Sequence, residues 1–156
     1  MDHPAVPVHT DRSIPDGVLE AFWEYDRALL ANDVEALDAL FAPGPDTLRA
    51  DGDGVLSGHE AIASFRAART QIPRRRVTAL WLRVLSERHV YTTAQVRSPA
   101  GAEGLQTQLW TRIDDRWRVA AAHVTAPRTA VDPTVWRVVG APLVEGSADG
   151  PLHGET

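Results

Sequence analysis

LQTQLWTRIDDRWRVAAAHVT, residues 105–125, is the stretch that decides the fold of this chain. Two runs rich in aromatic, β-branched and polar residues flank a turn at Asp114-Asp115, which is typical of an antiparallel hairpin. Two earlier runs of the same kind, 76–85 and 89–97, are separated by Ser86-Glu87-Arg88. The second half of the chain therefore predicts an antiparallel meander.

Helical periodicity dominates the first half. Ser13 is placed to cap a first helix, whose apolar face carries Val18, Phe22, Tyr25 and Leu29 at helical spacing. Asn32 is placed to cap a second helix. A short strand over 46–51 then turns back through Asp51-Gly52-Asp53-Gly54 into Val55-Leu56.

A third helix is predicted after this hairpin. Ser57-Gly58-His59-Glu60 matches a capping box, and we expect Ile62, Phe65 and Ala68 to be buried. The predicted order is helix, helix, hairpin, helix and meander, an α+β arrangement.

Composition restricts the classes of function. A chain of 156 residues with 44% apolar residues is expected to form one globular domain. The net charge of −5 and scattered basic residues disfavour nucleic-acid binding. No apolar run is long enough to span a membrane, and the beginning lacks the features of a signal peptide. Because cysteine is absent, disulfides and thiolate sites are excluded, and a cytoplasmic location is expected.

Two residues stand in unusual surroundings. Tyr25 is a phenol on an apolar stripe, and it is either a core aromatic or a hydrogen-bond donor in a pocket. Arg49 lies in an otherwise apolar short strand. It either pairs with Asp51 or Asp53 across the turn, or binds a carboxylate through two N–H groups of its planar guanidinium. A pocket that binds a small anion would explain both residues.

The order of elements and the last strand, in which a Trp and a β-branched residue are followed by His, resemble the NTF2-like, or SnoaL-like, superfamily. This resemblance implies an NTF2-like cone, with three N-terminal helices packed on a curved, mostly antiparallel sheet. Three segments are similar to the AtzH-like group: FWEYD at 22–26, LRAD at 48–51 with GHEAI at 58–62, and LQTQLW at 105–110.

The AtzH-like group occurs in bacterial oxalurate and cyanuric-acid catabolism genes, sometimes fused to an amidase. The resemblance implies that Tyr25 and Arg49 are catalytic, that the substrate is a carboxylated urea, and that the chain is a homodimer. It also makes an amidase a candidate partner. A non-catalytic binding or dimerisation domain stays open as the alternative.

The meander supplies candidate substrate-binding residues. Alternation predicts that His123 shares a face with Trp117, Val119 and Ala121, and the resemblance places that face at the border of the pocket. Gln106, Gln108 and Trp110 share one face of the preceding strand. They suit either a pocket wall that hydrogen-bonds to the amide groups of a substrate or a polar dimer interface. The sequence leaves open which face of this strand is turned toward the core.

Other patterns in the sequence give weaker evidence of function. No His-rich metal motif, phosphate-binding glycine loop or serine elbow occurs, so we expect neither a metal nor a cofactor. Arg74-Arg75-Arg76 is read as a solvated strand end, from which one side chain could reach the pocket. Asp26 is the only obvious carboxylate base for a third reading, an isomerase or a cyclase.

The domain is expected to span 13–140. Residues 1–12 are expected to be loose, and 141–156 to form a flexible tail that resembles the run-in to an amidase domain. Within 135–139 the chain is apolar, and we expect it to pack on the domain or on a partner.

Overall fold

The fold is described by a computed structural model over residues 5–125. Within these residues, three helices and seven strands follow one another in the order β1 (Val8–Thr10), α1 (Val18–Ala31), α2 (Val34–Leu40), β2 (Leu48–Asp51), β3 (Gly54–Ser57), α3 (His59–Ala68), β4 (Arg76–Ser86), β5 (His89–Arg97), β6 (Glu103–Ile113) and β7 (Arg116–Val124). The predicted α+β class and meander are confirmed. No helix in this part of the chain is long and apolar enough to cross a membrane.

All seven strands form one sheet in the order β1-β4-β5-β6-β7-β2-β3. Pairing is antiparallel in the meander and in the β2–β3 hairpin, whereas β1 joins β4 and β2 joins β7 in parallel. The parallel β2–β7 pair places Arg49 of the short hairpin beside the last strand. Residues far apart in sequence thereby meet on one face of the sheet.

The core lies between the helices and one face of this sheet. The apolar stripe of α1 is buried as its spacing predicts, with Phe22 1% and Tyr25 3% exposed. It packs in one cluster with the inward residues of the strands, among them Leu80, Trp110 and Val119. Burial of this stripe supplies the main driving force that holds α1 on the sheet.

The helices begin at residues other than those predicted. Gly17, at a φ of 88°, precedes α1, because the segment before the helix is drawn toward Trp117, whose indole nitrogen donates to the Asp16 carbonyl at 2.8 Å. A side chain at Gly17 would also meet that indole at 3.3 Å. Ser13 therefore does not cap the helix.

The caps of α2 and α3 differ as well. Asp33 caps α2 by accepting from the Ala36 amide at 3.1 Å, while Asn32 ends α1 in the left-handed region. Gly58, at a φ of 95°, precedes α3, so the predicted capping box is wrong and Ser57 is the last residue of β3.

Part of the segment expected to be loose is a strand. Val8–Thr10 pairs with β4, and the Asp11 carboxylate accepts from the Val84 amide at 3.0 Å. The expectations for 135–139 and for the tail over 141–156 lie outside the described residues.

Candidate functional site

A row of inward side chains crosses three strands. Arg49 of β2 is in register with Ala122 of β7, and Ala122 is in register with Gln108 of β6. The Arg49 side chain is 12% exposed and Gln108 is 1% exposed. The sheet therefore brings a guanidinium and a primary amide onto the same buried face, with only a methyl group between them in the row.

Arg49 is held from two directions. Its Nη1 lies 2.6 Å from the Asp51 carboxylate, and its guanidinium carbon lies 4.5 Å from the centre of the Phe65 ring. The bond from Arg49 lowers the pKa of Asp51 below its ordinary value, so the carboxylate is ionised at neutral pH. The Asp51 pairing foreseen for an edge-strand arginine is thus present, but on a largely buried side chain.

Tyr25 projects from α1 toward the same face of the sheet. Its ring contacts Trp110 edge to face at a centroid distance of 6.4 Å and lies 6.1 Å from the Phe41 ring. The Trp110 indole nitrogen is occupied by the Thr92 hydroxyl at 3.2 Å. Trp110 is therefore a wall against which the phenol packs, and its one polar group is already satisfied.

Gln106 and Gln108 face inward together, which settles the question that the sequence left open. Both are 1% exposed. The side-chain nitrogen of Gln106 and both polar atoms of Gln108 are buried without a hydrogen-bond partner among the described residues. Because an unsatisfied buried polar group is costly, such groups call for a partner, which an ordered water or a bound ligand can provide.

Two further arginines approach this region at the C-terminal end of α3, Arg66 in its last turn and Arg69 directly after it. Arg66 is 2% exposed, and its guanidinium stacks on the Phe41 ring at 4.0 Å. It lies 3.5 Å from the Asp38 carboxylate, an ion pair by distance that lacks hydrogen-bond geometry. Arg69 donates to the Asn32 side chain at 3.3 Å.

The α3 arginines, Tyr25 and Arg49 share one electrostatic environment. Burial lowers the pKa of both Arg66 and Arg69, the nearby phenol of Tyr25 opposes that shift, and the charge of Arg49 adds to it. The guanidinium groups of Arg66 and Arg69 nevertheless remain charged at neutral pH. A buried region with this excess of positive charge is suited to an anion.

Arg75 reaches the site from the start of β4. Arg74 and Arg76 are exposed, whereas the side chain of Arg75 is 5% exposed. Arg75 bonds to Asp26 of α1 and donates to Gln106 Oε1 at 2.9 Å. One member of the arginine run therefore reaches the interior, the outcome that the sequence left open.

The cluster is an internal one. Its polar atoms are buried, and the open groove of about 780 Å3 that includes Arg75 is lined mainly by outer residues such as Arg74, Arg76 and Arg97. Another groove, of about 770 Å3, lies at Gly44, Gly58 and Ser64. The unpaired buried groups, rather than the size of a surface groove, identify the candidate site.

A family model for AtzH-like proteins matches residues 10–130. This chain belongs to the AtzH-like family. No curated protein matches it significantly.

Solved structures agree with the assignment of this AtzH-like chain. A cystatin-like fold protein from Burkholderia xenovorans LB400 is 33% identical with a TM-score of 0.66, covering 72% of this chain and 91% of that one. A protein of unknown function from the DUF3225 family of Pectobacterium atrosepticum is 31% identical with a TM-score of 0.64, covering 69% and 86%.

More distant structures show the fold alone. An NTF2-like protein of unknown function from Shewanella oneidensis MR-1 is 17% identical with a TM-score of 0.59, covering 71% of this chain and 98% of that one. The predicted resemblance to the NTF2-like superfamily and its AtzH-like group is therefore confirmed.

The AtzH-like chain departs from the sequence analysis at His123. A register shift in the β6–β7 pair leaves Ala120 unpaired, since Trp110 aligns with Val119 and Leu109 with Ala121. Beyond this bulge the inward residue is Ala122, and His123 is exposed on the opposite face. The prediction that His123 shares a face with Trp117 and Val119 is wrong, because a bulge reverses the alternation of a strand.

Arg66 and Arg69 are not among the site residues predicted from the sequence. Ile62 and Arg66 are four residues apart on one helical face, so Arg66 occupies the buried stripe that was expected to carry Ala68, which is exposed. A guanidinium on an apolar stripe is the same signal that singled out Tyr25, and it could have identified Arg66.

Proposed function

We propose that this AtzH-like chain is a small-molecule amidohydrolase that acts on carboxylated ureas, with loss of ammonia and carbon dioxide. The observation that carries the proposal is the row of Arg49 and Gln108 on one buried face, with unpaired amide atoms and an excess of guanidinium groups around Tyr25. Such a region matches a planar substrate that presents a carboxylate at one end and carbonyl and amide edges along its length.

Arg49 is proposed to bind the substrate carboxylate. Asp51 contacts Nη1 only, so the remaining guanidinium N–H groups can still donate. The Phe65 ring and Asp51 hold the group in a single orientation, which reduces the entropy lost on binding. Arg66 and Arg69 add positive potential that stabilises negative charge as it develops on the substrate.

Tyr25 is proposed to donate a proton to the leaving nitrogen. Water oxygen adds to the urea carbonyl carbon, the carbon–nitrogen bond breaks, and the nitrogen departs as ammonia after gaining a proton. A proton released by the water restores the Tyr25 hydroxyl, and the carbamate that remains breaks its second carbon–nitrogen bond to give carbon dioxide and an amine. Tyr25 is buried against Trp110 and Phe41, and in such surroundings its hydroxyl can be directed at one substrate atom.

A non-catalytic binding domain is the competing proposal, and one observation favours it. The carboxylates nearest the buried glutamines and Arg49, those of Asp51 and Asp26, are each bonded to an arginine, so within residues 5–125 neither is presented as a base to activate water. A domain that binds a carboxylated urea for an amidase partner needs the guanidinium and amide groups but no base.

The isomerase or cyclase reading gains no support from Asp26. Its carboxylate is bonded to Arg75, so it is already engaged rather than presented to a substrate.

Homodimer formation through the outer face of the sheet remains a proposal. That face exposes Leu48, Trp81, Tyr91 and Leu105 on four strands, each more than 40% accessible. Burial of these side chains against a second copy would be favourable. Sedimentation equilibrium tests this proposal, and a monomer at all concentrations would refute it.

The experiment that separates catalysis from binding measures both on one preparation. Purified chain is mixed with carboxylated ureas and biurets, ammonia is assayed, and calorimetry records binding. Ammonia release supports the amidohydrolase; binding without release supports the accessory domain. Arg97→Ala, which breaks an exposed ion pair with Glu103, is the matched control for loss of an arginine.

A further inference from the structure

We propose that Asp26 and Arg75 are positioning residues, and that together they fix the Gln106 side chain with its amide N–H groups directed into the buried site. This inference deepens the proposed function by assigning what Gln106 recognises, and it rests on that function for the nature of the ligand. The orientation itself follows from the contacts of the three side chains.

The three groups form a chain of contacts from α1 to β6. One guanidinium nitrogen of Arg75, Nη1, bonds to Asp26 Oδ1, and the other, Nη2, donates to Gln106 Oε1 at 2.9 Å. Asp26 is 14% exposed, Arg75 5% and Gln106 1%, so the contacts are shielded from water. Asp26 neutralises the buried guanidinium and limits the positions that it can take.

Donor chemistry decides which way the amide of Gln106 points. A guanidinium carries five N–H donors and no acceptor, so only the oxygen of Gln106 can face Arg75. The nitrogen must then lie on the other side of the planar amide. In the structure that nitrogen, Nε2, is buried and has no partner among the described residues.

Gln108 provides the contrast on the same strand. Both its amide nitrogen and its amide oxygen lack a partner within residues 5–125. No arginine in this part of the chain donates to the Gln108 oxygen as Arg75 donates to the Gln106 oxygen. Its amide can therefore turn either way, whereas Gln106 presents donors alone. Gln106 is assigned to bind an acceptor oxygen of the ligand, the urea carbonyl or a carboxylate, and Gln108 is free to match either edge.

The first test needs no ligand. The side-chain amide signals of Gln106 and Gln108 are assigned in 15N-labelled protein by their loss in Gln106→Glu and Gln108→Glu. Heteronuclear relaxation is then compared between the native chain and Arg75→Lys, which keeps the positive charge but lacks the fork that reaches both Asp26 and Gln106. Asp26→Asn, nearly isosteric, is a second variant in case Arg75→Lys does not fold.

The proposal predicts a rigid Gln106 amide in the native chain that becomes mobile in Arg75→Lys and in Asp26→Asn, with the Gln108 amide unchanged. Arg97→Lys, a conservative change at an exposed arginine, should leave both signals as they are. A Gln106 amide that is mobile in the native chain, or equally rigid without Arg75, would overturn the proposal.

The second test asks whether Arg75 acts through Gln106. N-carbamoylglycine, a stable carboxylated urea, is the probe in calorimetry. Arg75→Lys and Gln106→Glu should each weaken binding about tenfold or more, since the Gln106 donor to the ligand is no longer oriented in the first variant and is absent in the second. The double variant should bind no more weakly than Gln106→Glu alone, because residues that act as a unit are not additive. Additive losses would overturn the assignment.

These outcomes separate the two proposals. Arg75-dependent rigidity of Gln106 in a chain that releases no ammonia would uphold the positioning and refute the hydrolase. Ammonia release by a chain whose Gln106 amide is equally mobile with and without Arg75 would uphold the hydrolase and refute the positioning.

Discussion

Arg49 and Gln108 stand in one row across β2, β7 and β6, and Ala122 is the residue between them. Their sequence positions are far apart, and the parallel pairing of β2 with β7 is what brings them together. Ala122 is buried in the core cluster, and its methyl group is the smallest inward side chain in this row.

Ala122→Leu is expected to place a larger side chain between Arg49 and Gln108. The added carbons should block ligand binding, and overpacking should cost about 1–3 kcal/mol of stability. Calorimetry with a carboxylated urea and urea denaturation measure the two effects. Ala121→Leu, on the outer face of the same strand, is the control and should bind normally. Retained binding in Ala122→Leu would place the ligand elsewhere.

Gln108→Leu should weaken ligand binding and raise the free energy of unfolding. The native amide is buried with neither polar atom paired, so an apolar side chain of similar size should raise the free energy of unfolding by about 1–2 kcal/mol. Affinity for the ligand should fall about tenfold because its amide partner is lost. The same change at Gln95, half-buried on the outer face, should affect neither quantity in this way. A marked loss of stability in Gln108→Leu would show that the amide is satisfied in the native protein.

Tyr25→Phe tests the phenol without disturbing the packing. The ring contacts with Trp110 and Phe41 are kept, so stability should change by no more than about 1 kcal/mol. Loss of a proton donor should lower kcat about 100-fold or more, with little effect on KM. Tyr91→Phe, an exposed tyrosine, is the control. Normal turnover by Tyr25→Phe would remove the phenol from the mechanism.

The pairing of Arg49 with Asp51 should make stability depend on pH at low values. The bond from Arg49 lowers the folded-state pKa of Asp51 below its ordinary value of 3.8. Stability from ionised Asp51 is then fully present well above that ordinary value, and it is lost as the pH falls through the lowered folded-state pKa. Asp51→Asn keeps an acceptor for the Asp53 amide but cannot ionise.

The native chain should therefore be more stable than Asp51→Asn by about 1 kcal/mol at pH 7, and the difference should shrink toward zero in strong acid. Denaturant unfolding of both proteins at pH 7, 5 and 3 measures it. A difference that is the same at pH 3 as at pH 7 would mean that the Asp51 charge does not stabilise the fold.

The sequence predicts the parts of the site that regular periodicity controls. Tyr25 lies on a helical stripe with strong contrast between apolar and polar positions, so its inward direction follows from spacing alone. The role proposed for Arg49 comes from the family resemblance, while its place in the row with Gln108 depends on a parallel pairing that no local pattern encodes.

His123 shows why the rest could not be predicted. Ala120, Ala121 and Ala122 give no hydrophobic contrast, so the sequence offers no sign that a bulge falls there and reverses the faces of β7. The contacts between Asp26, Arg75 and Gln106 could not be predicted from the sequence either, because they join separate parts of the chain through side chains alone.

Ammonia release from carboxylated ureas by the native chain, Arg49→Ala and Arg49→Lys tests the central claim most directly. The account predicts release by the native chain, a fall in kcat/KM of about 100-fold or more in Arg49→Ala, and little recovery in Arg49→Lys, since an ammonium lacks the planar fork. Undiminished release by Arg49→Ala, or a native chain that binds a carboxylated urea and releases no ammonia, would contradict it.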